Sequence, residues 1–327
     1  MKLSERGELS LLKRIRERFS ICSKEVVAGI GDDSAVVMPD NQYLLLTTDM
    51  MVEGIHFNLN FMTPYQLGFK IISVNVSDIY AMGGNPRFIL LDIAWGGDTD
   101  DGFMEAFFDG VEKAMSMYSV QLIGGDLSST QSGMAISAAL IGYVKKPVLR
   151  SGARPGDRIY VTGHLGDAAC GLALLKIINR PLPMECGDET DKPLAWRVMH
   201  PLISRHLLPE ARNPNQYSPR ATSMIDISDG LFIDLSRICD ESGVGARVCL
   251  GQVPISPQMK KAAYALGLDP YALATSGGED YELLFTAPPQ EKFDALCIGE
   301  IAPSERVVVY LDKSEKPFSV EGYRHWH

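Results

Sequence analysis

The sequence predicts an α/β (α+β) protein of two domains, and three observations carry that prediction. Strand-like and helical runs alternate along most of the chain, as they do where sheets are covered by helices. The alternation breaks at Lys145–Asp157 into KKPVLRSGARPGD, turn chemistry built on two prolines and two glycines. The composition is ordinary for a globular protein, with 46% hydrophobic and 22% charged residues over 327 positions, enough chain for two cores. The break divides the sequence into residues 1–149 and 150–327.

The elements follow in order. The opening MKLSERGELSLLKRIRERF is charged and helical, without the apolar core or cleavage site of a signal peptide. Leu44–Thr48 reads as a strand. Pro64–Met82 reads as a helix, with Thr63 and Pro64 as its start and Gly83-Gly84 as its stop. Phe88–Ala94 is a strand, Phe103–Tyr118 a helix, and Val120–Ile123 and Met134–Val144 are strands. Beyond the break come a strand at Arg158–Thr162, a glycine-containing turn and a helix at Asp167–Asn179. A polar surface excursion follows over Arg180–Pro193. A helix at Leu202–Arg212, a strand at Met224–Ile227, a helix at Leu231–Glu241 and further short elements complete the chain. Two echoes, NVSDI (75–79) against DISDG (226–230) and IGGD (123–126) against SGGED (276–280), hint at related halves, although matches this short also arise by chance.

Charge excludes some functions. With 31 basic and 41 acidic residues the net charge is −10, and no basic cluster stands out, which argues against a nucleic-acid or anionic-membrane surface. The six cysteines (22, 170, 186, 239, 249, 297) form no CxxC pair and no zinc spacing. No apolar run reaches the roughly 20 residues of a membrane helix. A soluble, cytoplasmic protein in a reducing compartment is expected.

The acidic residues carry the functional signal. Asp32 and Asp33 in GIGDD, Asp49 in LLLTTD, Asp126 in LIGGD, and Asp226 and Asp229 in MIDISD all stand where an apolar strand is expected to end, where α/β sheets bind ligands. Each alone is also a good turn or N-cap residue. Asp78 is harder to explain that way. At 100° per residue it is centred on the stripe formed by Leu67, Ile71, Val74, Asn75 and Met82, which should face the core. A carboxylate there needs a cation, either an Arg or Lys or a metal ion. With the Thr47 and Thr48 hydroxyls the donors are hard oxygens, which suits Mg²⁺, Mn²⁺ or Ca²⁺ rather than Zn²⁺ or Cu²⁺. Dispersed aspartates without a calcium loop favour Mg²⁺ held together with substrate phosphates.

Other features are weaker. Gly163-His164-Leu165-Gly166 leads into a helix and could offer backbone N–H groups to a phosphate, or be a tight turn. Arg150 beside the glycine-rich turn could grip a phosphate. His56 reads by itself as a core side chain and Trp326 as a packing anchor. There is no P-loop, no kinase HRD…DFG set, no HExxH and no GxSxG.

Seven segments together carry a resemblance. GIGDDSAVV (29–37), TTDMMVEGIHF (47–57), KIISVNVSDIYAMGGNP (70–86), QLIGGDLSS (121–129), RSGARPGDRIYVTGHLGDAACGL (150–172), IDISDGLFIDL (225–235) and SGGEDYELLF (276–285) occur in this order. The combination resembles the thiamine-monophosphate kinase family of the aminoimidazole-ribonucleotide-synthetase-like superfamily. The resemblance implies that superfamily's two-domain fold: an N-terminal metal- and nucleotide-binding domain whose sheet pairs across a homodimer, and a C-terminal domain completing the site. It implies ATP- and Mg²⁺-dependent phosphorylation of thiamine monophosphate to thiamine diphosphate, using several Mg²⁺ ions. By position, Asp33, Thr47, Thr48, Asp49, Asp78, Asp126, Asp226 and Asp229 correspond to the metal cluster, with Asp33, Asp49, Asp78 and Asp126 as the catalytic carboxylates. Gly125, Asp126, Arg150 and Ser228 correspond to nucleotide contacts, and His56, Glu279 and Trp326 to contacts with thiamine phosphate. Met50-Met51 and GGDLSS depart from the family's commoner residues without removing a proposed ligand.

The chemistry agrees with the residue inventory. A phosphate acceptor with a second pKa near 6 is largely ionised at neutral pH, so many aspartates and no general base are what the reaction needs. Other ATP-dependent enzymes of the superfamily, or a non-catalytic Mg²⁺–nucleotide-binding regulator, remain alternatives at this point.

Overall fold

A computed structural model describes residues 26–28, 32, 34–38, 43–96, 99–182, 193–318 and 322. The expected N-terminal helix, Asp33, Trp326 and most of the Arg180–Pro193 excursion lie outside them.

Two sheets organise the chain. The first contains β1 (Val26–Ala28), β2 (Ala35–Val37), β3 (Tyr43–Val52), β4 (Asn85–Gly96), β5 (Gln121–Thr130) and β6 (Ala135–Val144), in the order β1-β2-β3-β6-β4-β5. Only the β4–β5 pair is parallel, and α2 (Asp101–Tyr118) connects those two strands. Side chains alternate across the sheet. Leu45, Ile89, Leu91, Ile93, Ile136, Ala138 and Leu140 are buried beneath α1 (Pro64–Ala81) and α2. Their neighbours Leu46, Met50 and Leu90 point the other way and are 36%, 60% and 38% exposed.

α1 begins as the sequence dictates. Thr63 and Gln66 cap each other reciprocally, and Pro64 occupies the first turn. The two helices touch backbone to backbone: a Cβ on Gly68 would stand 2.0 Å from the Phe107 carbonyl oxygen, and one on Gly110 would stand 2.0 Å from that of Tyr65. Only glycine permits that approach.

The second sheet has seven strands: β7 (Arg158–Val161), β8 (Ser223–Asp226), β9 (Gly245–Cys249), β10 (Leu283–Ala287), β11 (Leu296–Ala302), β12 (Arg306–Val309) and β13 (Glu315–Pro317). Their order is β13-β12-β9-β11-β7-β10-β8, antiparallel except for β9–β12. The helices are α3 (Asp167–Ile178), α4 (Trp196–Leu207), α5 (Leu231–Ser242), α6 (Pro257–Ala265) and α7 (Pro270–Ser276). One apolar core runs from Leu45 and Ile71 through Leu174 and Leu202 to Ile225 and Leu284, so the two sheets share it.

The expected mixed α/β character holds, with three corrections. Asp49 and Asp126 do not end strands, because β3 continues to Val52 and β5 to Thr130. The helix expected at Leu202–Arg212 starts six residues earlier, at Trp196, and accommodates Pro201. It ends at Leu207 because Pro209 forces Leu208 out of helical backbone (φ −132°, ψ 61°).

Candidate active site

α1 is the strut from which the site is built. From Gln66 to Met82 every residue is buried except Asp78, which is half-buried. A helix enclosed on all sides thus opens to solvent at one carboxylate. The stripe expected around Asp78 is buried as predicted, but so is the rest of the helix, so amphipathicity does not set Asp78 apart. Its contact does: Thr47 Oγ1 on β3 donates to Asp78 Oδ2 at 2.5 Å. One residue earlier, Ser77 Oγ donates to Asp226 Oδ2 at 2.6 Å, and Asp226 ends β8 of the second sheet with 2% exposure. Adjacent residues of one helix therefore tie together acidic positions from both halves of the sequence.

Tyr281 marks where these groups converge. It is buried, and burial raises its hydroxyl pKa well above the usual value, reinforced by the negative charges of Glu279, Asp49, Asp226 and Asp229. Four carboxylates thus bear on one phenol. Asp49 comes from β3, Asp226 and Asp229 from the β8–α5 segment, and Glu279 from the loop after α7. On β3 Asp49 shares the α1-facing side with Thr47, two residues away.

The carboxylates differ in their company. Asp229 Oδ2 is 2.6 Å from Arg237 Nη2, and Arg237 Nη1 is 2.5 Å from Asp234 Oδ1. Asp234 also accepts from the amides of Asp229 and Gly230, closing the first turn of α5. Burial pushes the Asp234 carboxyl up, against the opposing pull of Arg237. Arg150 acts electrostatically on both Asp234 and Arg237. Its backbone N–H donates to Asp32 Oδ1 at 2.8 Å. Glu279 lies between buried Lys70 and buried His206, with Lys70 Nζ 2.7 Å from Oε1 and His206 Nδ1 2.9 Å from Oε2. Burial works against its ionisation, but Lys70 and His206 prevail and hold its carboxyl well below the usual carboxylate range. His206 is itself held below its ordinary pKa, by burial first and by Lys70 second.

Other expected residues stand apart. Thr48 is exposed on the opposite face of β3 from Thr47 and Asp49, so its hydroxyl does not join theirs. Asp126 pairs in register with Asp92, which pairs with Ser137, which pairs with Met50, so it lies on the open face roughly 14 Å across the sheet from β3. Gly125 serves the strand itself: with φ 149°, a Cβ there would meet the Leu91 carbonyl oxygen at 1.9 Å. His56 sits not in the core but in the turn after β3, half-buried, where its Nδ1 accepts from the Val52 amide at 3.0 Å and leaves Nε2 as the protonated nitrogen.

The Gly163–Gly166 turn does lead into a helix, but the anion at that N-terminus is the protein's own. Asp280 accepts from the amides of Gly166 at 2.6 Å and Ala168 at 3.3 Å. Burial pushes the Asp280 carboxyl up to about 7. Two residues on, fully buried Glu282 takes Arg205, Arg212 and the Thr162 hydroxyl. The SGGEDYELLF segment therefore ties its three acidic side chains to residues of α1, α3 and α4. Sequence reasoning missed Lys70, His206, Arg205 and Ser77. A charged Lys70 in an otherwise apolar helix was the available signal.

Thr47, Asp49, Asp78 and Asp226 could hold a divalent ion. Every donor is a hard oxygen, which fits Mg²⁺ or Mn²⁺. Among the described residues, no three His, Cys, Asp or Glu side chains already stand close enough to hold an ion. Two of the carboxylates are instead satisfied by the Thr47 and Ser77 hydroxyls.

Known proteins place this geometry. Residues 31–144 match the AIR synthase related protein N-terminal domain and residues 154–312 the corresponding C-terminal domain. A thiamine-monophosphate kinase of Salmonella typhimurium is 38% identical over 339 residues, covering 98% of each chain. That of Aquifex aeolicus is 36% identical over 331 residues, covering 100% of each. A solved structure, AaThiL complexed with AMPPCP and TMP, superposes with a TM-score of 0.87 at 35% identity, covering 100% of this chain and 99% of that one. Full-length likeness in sequence and in fold, together with acidic groups drawn from both halves around one helix, places this chain in the thiamine-monophosphate kinase family of AIR-synthase-related proteins.

Proposed function

We propose that this protein transfers the γ-phosphoryl group of ATP to thiamine monophosphate, giving ADP and thiamine diphosphate by direct in-line displacement. The observation that carries the reading is that α1 joins β3 through Thr47 and Asp78 and the second sheet through Ser77 and Asp226, within a chain whose full-length relatives are thiamine-monophosphate kinases. An acceptor oxygen of thiamine monophosphate attacks the γ-phosphorus as its bond to the β–γ bridging oxygen breaks, and ADP leaves. The acceptor is already ionised, so no side chain needs to remove a proton. What the chain must supply is alignment and relief of repulsion between anions.

Thr47, Asp49, Asp78 and Asp226, with Asp33, would hold Mg²⁺, which when bound neutralises phosphate charge as it redistributes. Ser228 and Arg150 face the nucleotide, and Asp229 joins the cluster on exchanging Arg237 for a cation. His56, Trp326 and the exposed edge of Glu279 meet the thiamine half, whose thiazolium is cationic and whose pyrimidine is flat. We divide the chain at 149/150, one sheet to each domain.

We further propose a homodimer closed over the open face of the first sheet. Leu46, Met50 and Leu90 on that face are 36%, 60% and 38% exposed, and the edge strand β5 leaves its own backbone edge unpaired among the described residues. Asp126 and Thr48 then line the seam. None of the described helices is long and apolar enough to cross a membrane, which accords with a cytoplasmic site of action.

An ADP-release assay with thiamine, thiamine monophosphate and aminoimidazole ribonucleotide precursors tests the reading. Release with thiamine monophosphate alone, accompanied by thiamine diphosphate, is the expected result. Nucleotide binding without release, or release with another acceptor, overturns it.

A further inference from the structure

Lys70 is 1% exposed, and an ammonium at that depth requires a counter-charge. Glu279 supplies it at 2.7 Å, and buried His206 approaches the other carboxylate oxygen at 2.9 Å. The three residues belong to α1, to the loop after α7 and to α4. The loop they grip is conformationally demanding: Glu279 has φ 66° and Tyr281 φ 50°, left-handed backbone that non-glycine residues keep only where their surroundings fix it. That backbone in turn holds the acidic turn beside it. The Glu279 amide donates to the Ser228 carbonyl at 2.7 Å and the Tyr281 amide to the Ile227 carbonyl at 2.9 Å. Ile227 and Ser228 lie between Asp226 and Asp229.

We propose that Lys70, supported by His206, is a positioning residue for the phosphoryl transfer. Through Glu279 it locks the 279–281 loop, and through that loop's two amides it fixes Asp226–Asp229 against Asp49 and Asp78. Lys70 and Ser77 lie two turns apart on α1, so one helix sets the acidic turn twice: directly, through Ser77 and Asp226, and indirectly, through Lys70 and the loop. The kinetic half of this inference rests on the function proposed above. The structural half does not.

The test is Lys70→Met in the full-length protein, with two readouts. Backbone exchange should accelerate about tenfold or more at the amides of Glu279 and Tyr281, while Leu284 and Phe285 in β10 keep their protection. Turnover of thiamine monophosphate should fall on the order of 10²-fold, with both Michaelis constants within about threefold of wild type and a higher Mg²⁺ requirement. Should Lys70→Met fail to fold, Lys70→Met with Glu279→Gln leaves no charge unpaired and is measured in its place by backbone exchange alone, with faster exchange at the Tyr281 amide expected and unchanged exchange there overturning the proposal. Unchanged exchange at both amides overturns the proposal, as does wild-type turnover or an effect confined to one Michaelis constant. If the wild-type protein does not phosphorylate thiamine monophosphate, the proposed function fails, and the exchange result alone decides whether the lock exists.

Discussion

Asp78→Asn separates catalysis from folding more cleanly than any other single change. Asp78 is the half-buried position on an otherwise enclosed helix, and its described bond is accepted from Thr47 Oγ1 at 2.5 Å. An asparagine is nearly isosteric and still presents an oxygen to that hydroxyl. In that bond the fold loses the difference between a charge-assisted and a neutral hydrogen bond, about 1 kcal/mol. For a chain of this size that corresponds to a melting temperature lowered by about 1–2 °C. Catalysis loses a full negative charge at the point where divalent cations are to be held, and removal of one such electrostatic contact costs turnover about 10²-fold or more. ADP release at increasing Mg²⁺, with a thermal melt on the same sample, reads both quantities. Near-wild-type turnover at ordinary Mg²⁺ in a folded variant refutes the role given to this carboxylate.

Three other outcomes follow from the geometry. Glu282→Gln leaves Arg205 and the 41% exposed Arg212 facing a neutral amide, so stability by urea unfolding should drop by about 1–3 kcal/mol while the Michaelis constants stay unchanged. The Asp280 carboxyl lies near 7 when folded, above its unfolded value, so the folded state holds the extra proton; that contribution to stability is full below about pH 4 and disappears as pH rises through 7. Melting temperatures between pH 5 and 8 should therefore fall more steeply for wild type than for Asp280→Asn, and parallel curves would contradict this. Leu90→Glu puts a charge on the open apolar face, so analytical ultracentrifugation should show monomer where wild type shows dimer.

Local signals in the sequence were strong wherever one residue type serves one purpose. Thr63-Pro64 and Gly83-Gly84 bound α1 as expected, because capping is decided within four residues. Asp78 stood out because a carboxylate on an apolar stripe has few explanations. Strand length was not legible in the same way: Thr47-Thr48-Asp49 and Gly124-Gly125-Asp126 look like strand ends, yet pairing along β6 and β4 carries both strands three or four residues further. The face on which each residue lies follows from that pairing, which is why Thr48 and Asp126 part from Thr47 and Asp49. The carboxylates of Glu279, Asp280 and Glu282 were the least readable. Their counterparts are Lys70 and His206, two backbone amides of α3, and Arg205 with Arg212, all brought to the loop only by tertiary packing.

Whether carboxylates from both sheets hold one set of cations can be read directly from Mn²⁺ binding in the presence of AMPPCP, followed by electron paramagnetic resonance. Wild type should bind Mn²⁺ tightly. Asp49→Asn in the first sheet and Asp226→Asn in the second should each weaken that binding by about tenfold or more. Mn²⁺ affinity untouched by either substitution would contradict the account.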